Sequence, residues 1–137
     1  MITEDYVSYE VAKLLKEKGF DEACRAYYDK DGEFNWVWNC GCSRNDEFSE
    51  VSSCPTHQMA MKWLREKGVD ISITPEFSTE AEPCVDLFCG YSASVFKTQN
   101  GEYIDECIIK KEEEWGSVPF VCYEDAVEAA LKYCLLI

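Results

Sequence analysis

The sequence lacks any long hydrophobic run. No apolar stretch in its 137 residues approaches the roughly 18 positions that a membrane-spanning helix requires. Residues 1–5 contain neither the basic region nor the apolar region of a secretory signal. These features predict a soluble protein that does not enter a membrane. They also predict that it is not exported, unless the chain is already processed.

Basic residues are scarce. The chain has 13 lysines and arginines against 27 aspartates and glutamates, which gives a formal net charge of −14 at pH 7. Binding to nucleic acid requires a basic surface that releases counterions from the phosphate backbone, and anionic lipid attracts the same kind of surface. We therefore expect no direct nucleic-acid binding and no membrane binding. Two interpretations of the charge stay open: it serves only to keep the chain soluble, or it attracts a basic protein as partner.

The motifs of common enzymes are also missing. The chain has no phosphate-binding glycine loop, no serine–histidine–aspartate set and no carboxylate pair at a recognisable catalytic spacing, and its one histidine is His57. Carboxylates that are distant in the sequence can still meet in the fold, so an enzyme stays an open alternative. These absences predict a non-enzymatic interaction protein that binds another protein.

Cysteine, by contrast, is abundant. The chain contains nine, an odd number, and positions such as Cys134 fall on predicted apolar stripes. Disulfide frameworks occur in exported proteins, mostly with even cysteine numbers, and no export signal is found here. Reduced thiols and a cytoplasmic location are therefore predicted.

The remaining composition is that of a folded domain, with 47% hydrophobic and 14% aromatic residues. Amphipathic spacing predicts three helices: one that begins near Glu4 or Ser8 and ends at Lys18, one at residues 55–67 and one at residues 124–136. Alternating patterns predict strands at residues 24–28, 33–38, 69–74, 91–98 and 102–109, with strand character from residue 84 onward. Loops are predicted at residues 39–53 and 75–83, and residues 110–117 are predicted to be a charged loop or a frayed strand edge.

The order α-β-β-α-β-β-β-α indicates an α+β fold. We expect a mainly antiparallel sheet with about three helices packed on it, in a single domain of residues 1–137. Gly19 is predicted to end the first helix, with Phe20 folding back onto the last turn. Asn100-Gly101 is the strongest hairpin signal, whereas residues 29–32 are interpreted as a plain turn rather than the start of a calcium loop.

An aromatic stripe follows that turn. Phe34, Trp36 and Trp38 alternate with other residues, so a strand would place all three on one face. A two-stranded hairpin with such a face needs a cover, and we interpret the stripe as core beneath a helix. A stacking platform for bases is the alternative, which the acidic surroundings disfavour.

Three stretches resemble a known group of proteins. Residues 7–29 (VSYEVAKLLKEKGFDEACRAYYD), 55–73 (PTHQMAMKWLREKGVDISI) and 123–137 (YEDAVEAALKYCLLI) are similar to small proteins of unknown function from gut Bacteroidales genomes, their mobile elements and their phages. The resemblance covers about half of the chain and lies in helix-forming segments. It implies a bacterial or phage protein of the cytoplasm and no particular chemistry.

The best candidate for a metal site lies outside most of that resemblance. Cys40, Cys42, Cys54 and His57 form a Cys-x-Cys and a Cys-x₂-His pair joined by a long polar loop. Four such ligands can hold zinc in tetrahedral geometry, although the first spacing is tighter than usual. The interpretations that stay open are a zinc site and a polar loop with ordinary thiols. A third is that Cys54, beside His57 at a helix start, is a reactive nucleophile.

The carboxylates suggest one further hypothesis. Acidic clusters occur at residues 46–47, 105–106, 112–114 and 124–125. Carboxylates spaced like phosphates would let the chain mimic nucleic acid and inhibit a DNA-binding protein. The functional hypotheses are therefore an interaction protein, a zinc-stabilised domain and an acidic nucleic-acid mimic, of which the first is preferred.

Overall fold

A computed structural model describes residues 2–38, 41–46, 49–79 and 86–137. It contains three α-helices, and its strands all pair antiparallel, which confirms the α+β class. The helices are α1 Tyr9–Glu17, α2 His57–Glu66 and α3 Tyr123–Leu136. The strands are β1 Ala26–Tyr28, β2 Phe34–Trp36, β3 Ser52–Ser53, β4 Val69–Thr79, β5 Asp86–Gln99, β6 Glu102–Ile109, β7 Lys111–Glu113 and β8 Gly116–Val118.

The chain divides into two compact units. Unit 1 comprises Met1–Trp63 with Leu131–Ile137, and unit 2 comprises Leu64–Ala130. The boundaries fall within α2 and α3. The single-domain organisation stays a prediction. Within the part of the chain that is described, no helix is long and apolar enough to cross a membrane.

Unit 1 contains α1 and a three-stranded sheet in the order β2-β1-β3. The register pairs Ala26 with Trp36 and Tyr28 with Ser52, so β1 is the central strand and β2 lies at an edge. Strand β3 was not predicted, because two serines carry no hydrophobic pattern. The fully buried side chains of this unit include Val7, Val11, Leu15, Phe20 and Leu131.

Both ends of α1 are determined by residues next to them in the sequence. The Ser8 hydroxyl accepts a hydrogen bond from the Val11 N–H at 3.2 Å, which satisfies one free donor of the first turn. At the other end, the Gly19 N–H donates to Lys16 O at 3.1 Å and the Phe20 N–H to Leu15 O at 3.0 Å. Gly19 has φ +92°, and this bonding pattern is the Schellman motif. The predicted stop at Gly19 is therefore confirmed.

Unit 2 is built on the antiparallel sheet β4-β5-β6. Asn100 and Gly101, with φ of 54° and 78°, form the predicted turn between β5 and β6. Directly opposed residues share a face, so Ile71, Val95 and Cys107 lie on one side, where Val95 is buried. At the far end of β5, Tyr91 exchanges two backbone hydrogen bonds of 2.7 Å with Phe120.

Two predicted loops are wrong in the described residues. Residues 75–79 continue β4 instead of forming a loop, because the long β5 pairs with them across a bulge after Glu76. Pro75 is tolerated there since β4 is an edge strand. Residues 110–117, predicted as a charged loop or a frayed strand edge, mostly form the small hairpin of β7 and β8. Residues 80–83 of the first loop lie outside the described residues.

Candidate functional site

Among the described residues of unit 1, the most exposed large aromatic side chains lie on the edge strand β2 or just after it. We call Tyr6, Phe34, Trp36 and Trp38 the β2 aromatic surface. The Phe34 and Trp36 ring centroids are 5.0 Å apart, and Tyr6 lies 5.6 Å from Phe34 and 5.3 Å from Trp36, all in edge-on geometry. Phe34 is 38% exposed, Trp36 59% and Trp38 87%. Large aromatics this open on one strand are unusual, since a protein interior normally encloses them.

The interpretation of this stripe as core is therefore wrong. Alternation along the strand was predicted correctly, because Phe34 and Trp36 flank the half-buried Asn35. The predicted cover is what differs: β2 is a three-residue edge strand, and in the described residues no helix encloses its rings. The neighbours that reach Phe34 and Trp36 are other aromatics, Tyr6 and Tyr28.

The turn before β2 holds this surface in place. Asp29 Oδ1 accepts hydrogen bonds from the N–H groups of Asp31 (2.9 Å) and Glu33 (3.0 Å), and its Oδ2 accepts one from Asn35 Nδ2 (3.3 Å). The Glu33 N–H is the largest of the causes that lower the pKa of Asp29. A carboxylate used in this way organises a turn, as predicted for residues 29–32. Gly32, at φ +82°, lies against the Tyr9 ring.

The electrostatic surroundings of the surface are mainly acidic. Burial raises the pKa of Tyr6, and the carboxylate of Glu4 raises it further, while Arg25 counters part of this effect. Glu33 adjoins Phe34 in the sequence and is exposed. A cation that approaches these rings therefore meets both aromatic faces and carboxylates, which attract it in the same direction.

The rings also border a cleft. It has a volume of about 380 Å³ and is lined by residues 34–38. Its lining combines aromatic rings with polar atoms, which suits a flexible side chain with an apolar stem and a charged end, such as arginine or lysine. Such a cleft can bind a ligand, and among the described residues that line it there is no acid, base or nucleophile for catalysis.

The predicted zinc ligands occupy different environments. Cys40 lies outside the described residues. Cys42 is exposed, whereas Cys54 is fully buried and His57 is buried as the first residue of α2. Among the described residues, no group of three or more potential ligands is placed to hold a metal ion. The four-ligand site, which includes Cys40, stays a prediction.

The environment of Cys54 does not suit a nucleophile. Its thiol donates to the Val7 carbonyl at 3.4 Å, and the side chain has no exposure to solvent. The helix start is capped instead by Thr56, whose hydroxyl accepts the Met59 N–H at 3.2 Å. An enclosed thiol that already donates to a carbonyl is structural, since a reactive one must reach its substrate.

The polar segment of residues 39–53, in which we expected a site, is organised by hydrogen bonds in its described part. Asn45 donates to Phe20 O at 2.7 Å and accepts the Ser53 N–H at 2.9 Å. Lys16 Nζ donates to the carbonyls of Ser49 and Val51. These side chains replace the backbone partners that a regular element would provide. Spacing alone could not reveal them, because each joins residues far apart in the sequence.

We expect alkylation to distinguish the described thiols. Burial raises the pKa of Cys24 to about 11, against 9.0 for an ordinary thiol, with smaller contributions from Cys42 and Glu22. At pH 8 its thiolate fraction is then about a hundredfold smaller than that of an ordinary thiol. Iodoacetamide should therefore label the exposed Cys42 and Cys89 first, as read by peptide mass spectrometry, and Cys24 labelling should accelerate as the pH approaches 11.

The control for this experiment is the same labelling in denaturant, where burial is lost and the thiols should react at similar rates. If native Cys24 reacts as fast as Cys42 at pH 8, the burial of Cys24 is wrong. The Cys24–Ser43 bridge, with two backbone hydrogen bonds of 2.8 Å, is the contact at issue.

The acidic clusters lie on several elements. Residues 105–106 belong to β6, residues 112–114 to β7 and the following turn, and residues 124–125 to the first turn of α3, all in unit 2. Asp46 belongs to unit 1, and Glu47 lies outside the described residues. The nucleic-acid mimic stays a prediction.

In comparisons with protein-family models, curated proteins and solved structures, no match to this chain was found. The resemblance to the Bacteroidales and phage group stays a prediction. A proposal for function therefore rests on the residues of the chain and their arrangement.

Proposed function

We propose that this chain is a non-enzymatic interaction protein that binds a basic segment of another protein through the β2 aromatic surface. The observation that supports it is the exposure of Trp36 and Trp38 beside a cleft with acidic neighbours. Tryptophan and tyrosine are enriched where proteins bind one another, and their faces attract arginine and lysine. The net charge of −14 steers the same class of partner toward the chain.

A cytoplasmic location and a bacterial or phage origin belong to the same proposal. The location is supported by thiols that form no disulfide among the described cysteines, which are Cys24, Cys42, Cys54, Cys89, Cys107, Cys122 and Cys134. The origin is supported by the resemblance of residues 7–29, 55–73 and 123–137.

Titration of a fluorescently labelled, short arginine-rich peptide with the protein, followed by fluorescence anisotropy, tests the proposal. The matched ligand is the same peptide with citrulline in place of arginine, which preserves the shape and removes the charge. We expect the arginine peptide to bind, and the double variant Trp36→Ala/Trp38→Ala to bind it about tenfold more weakly, because each exposed cation–π contact contributes about 0.5–1 kcal/mol.

Trp115→Ala is the control variant, since Trp115 is 93% exposed and belongs to unit 2. It should retain the affinity of the unchanged chain. Equal binding of the arginine and citrulline peptides would show that charge plays no part. Equal losses in the double variant and in Trp115→Ala would show that the β2 aromatic surface is not the site. Either result would refute the proposal.

A further inference from the structure

Strand β6 has an unpaired edge. The sheet order is β4-β5-β6, so β6 pairs with β5 on one side, and in the described residues no strand pairs with its other side. The backbone N–H and C=O groups along that side can accept another extended chain. Most of β6 is also open to solvent, since residues 102–106 are all exposed.

The side chains of β6 combine apolar and acidic character. Tyr103, Ile104 and Ile108 are each more than half exposed. The register shifts at Ile104, which has no direct partner on β5. Across this bulge, Tyr103, Glu106 and Ile108 lie on one face, because they oppose Thr98, Phe96 and Ser94, which alternate along β5. Asp105 lies on the other face, opposite Lys97.

The carboxylates of this strand are available to a partner. Within the described residues, Glu102, Asp105 and Glu106 form no ion pair, although Asp105 accepts the Glu106 N–H at 2.8 Å. A second copy of β6 would bring carboxylates against carboxylates, which destabilises a strand pair. A strand with basic residues would meet opposite charges at the same positions.

We propose that the outer edge of β6 binds an extended basic segment of a partner protein, which adds to the sheet as a fourth strand. Neighbouring lysine or arginine residues in that segment project to alternate faces, so one meets Glu106 and the next meets Asp105. Apolar residues on either side of them lie beside Tyr103 and Ile108. Main-chain hydrogen bonds supply affinity, and the carboxylates select a basic sequence.

The probe for this site is a short synthetic peptide with a central lysine–arginine pair flanked by valine and threonine. In NMR hydrogen exchange, we expect the peptide to protect roughly every second amide of residues 105–109, where β6 pairs regularly with β5, because alternate N–H groups of an edge strand point outward. A peptide of equal charge with proline in the flanks should not protect them, since proline cannot complete the ladder.

Two variants that remove the same charge locate the site. Glu102→Gln/Asp105→Asn/Glu106→Gln should weaken peptide binding about tenfold, because cross-strand opposite charges are lost. Glu112→Gln/Glu113→Gln/Glu114→Gln should leave it within about twofold of the unchanged chain, since these residues lie outside β6.

The proposal is overturned by an unprotected β6, by equal binding of the proline peptide, or by equal losses in the two variants. A dimer that forms through β6, seen by sedimentation, would also overturn it. Its failure is separate from that of the β2 aromatic surface. Trp36→Ala/Trp38→Ala changes unit 1 and should leave the protection of β6 in unit 2 unaltered.

Discussion

Replacing Gly90 by alanine should lower the free energy of unfolding by about 4 kcal/mol. Gly90 has φ +135°, which side chains other than hydrogen rarely allow. A Cβ there would overlap the carbonyl oxygen of Phe120 and approach Pro119 Cβ at 3.2 Å. That oxygen accepts the Tyr91 N–H, so relief of the overlap breaks the Tyr91–Phe120 bridge as well. Urea unfolding followed by circular dichroism measures the change.

Gly116→Ala is the matched control. Gly116 has a similar φ of +123°, but nothing lies within 4 Å of a Cβ built on it. Gly116→Ala should therefore lower the free energy of unfolding only by the cost of backbone strain, about 1–2 kcal/mol. If the two variants lose equal stability, the close approach of residues 119–120 to β5 is wrong, whereas a much larger loss in Gly90→Ala supports it.

The features that the sequence predicted well have local causes. The end of α1 follows from Gly19, which can adopt a positive φ, and from an apolar residue directly after it. The turn at Asn100 and Gly101 follows from the same freedom, and it sets the register of β5 with β6. Helical periodicity predicted α1, α2 and α3 to within a few residues.

The features that the sequence predicted poorly depend on residues that are far apart along the chain. Residues 75–79 are strand because β5 is long enough to pair with them, and their own composition gives no sign of it. Strand β3 exists because Ser52 and Ser53 pair with Tyr28 and Tyr27. Periodicity could place Phe34, Trp36 and Trp38 on one face, but whether another element covers that face is a tertiary property.

Whether another element covers a face also distinguishes the candidate site from the core. The informative sequence signal was the shortness of the hairpin together with the polar residues that follow Trp38. A brief edge strand has too little neighbouring structure to enclose two tryptophans. The same chemistry, large rings along the chain, thus yields an enclosed ring at Phe20 and an exposed surface at β2, depending on what packs against it.

Phe20→Ala should lower the free energy of unfolding by about 3–5 kcal/mol, because a fully enclosed ring leaves a cavity. Phe20 is 1% exposed, and its ring lies edge-on to Trp63 with centroids 5.6 Å apart. Phe34→Ala removes the same atoms from a ring that is 38% exposed. It should cost no more than about half as much stability, since less apolar area leaves water on folding.

Binding should rank the two variants in the opposite order: Phe34→Ala, which costs less stability, should lose more affinity than Phe20→Ala. Phe34→Ala removes one wall of the cleft and should weaken binding of the arginine peptide, whereas Phe20→Ala should bind it normally at temperatures where it stays folded. Urea unfolding combined with the fluorescence titration measures both effects. Equal losses of stability would contradict the exposure of β2, and normal binding by Phe34→Ala would remove Phe34 from the site. The pair thus separates the rings that fold the chain from those that bind its partner.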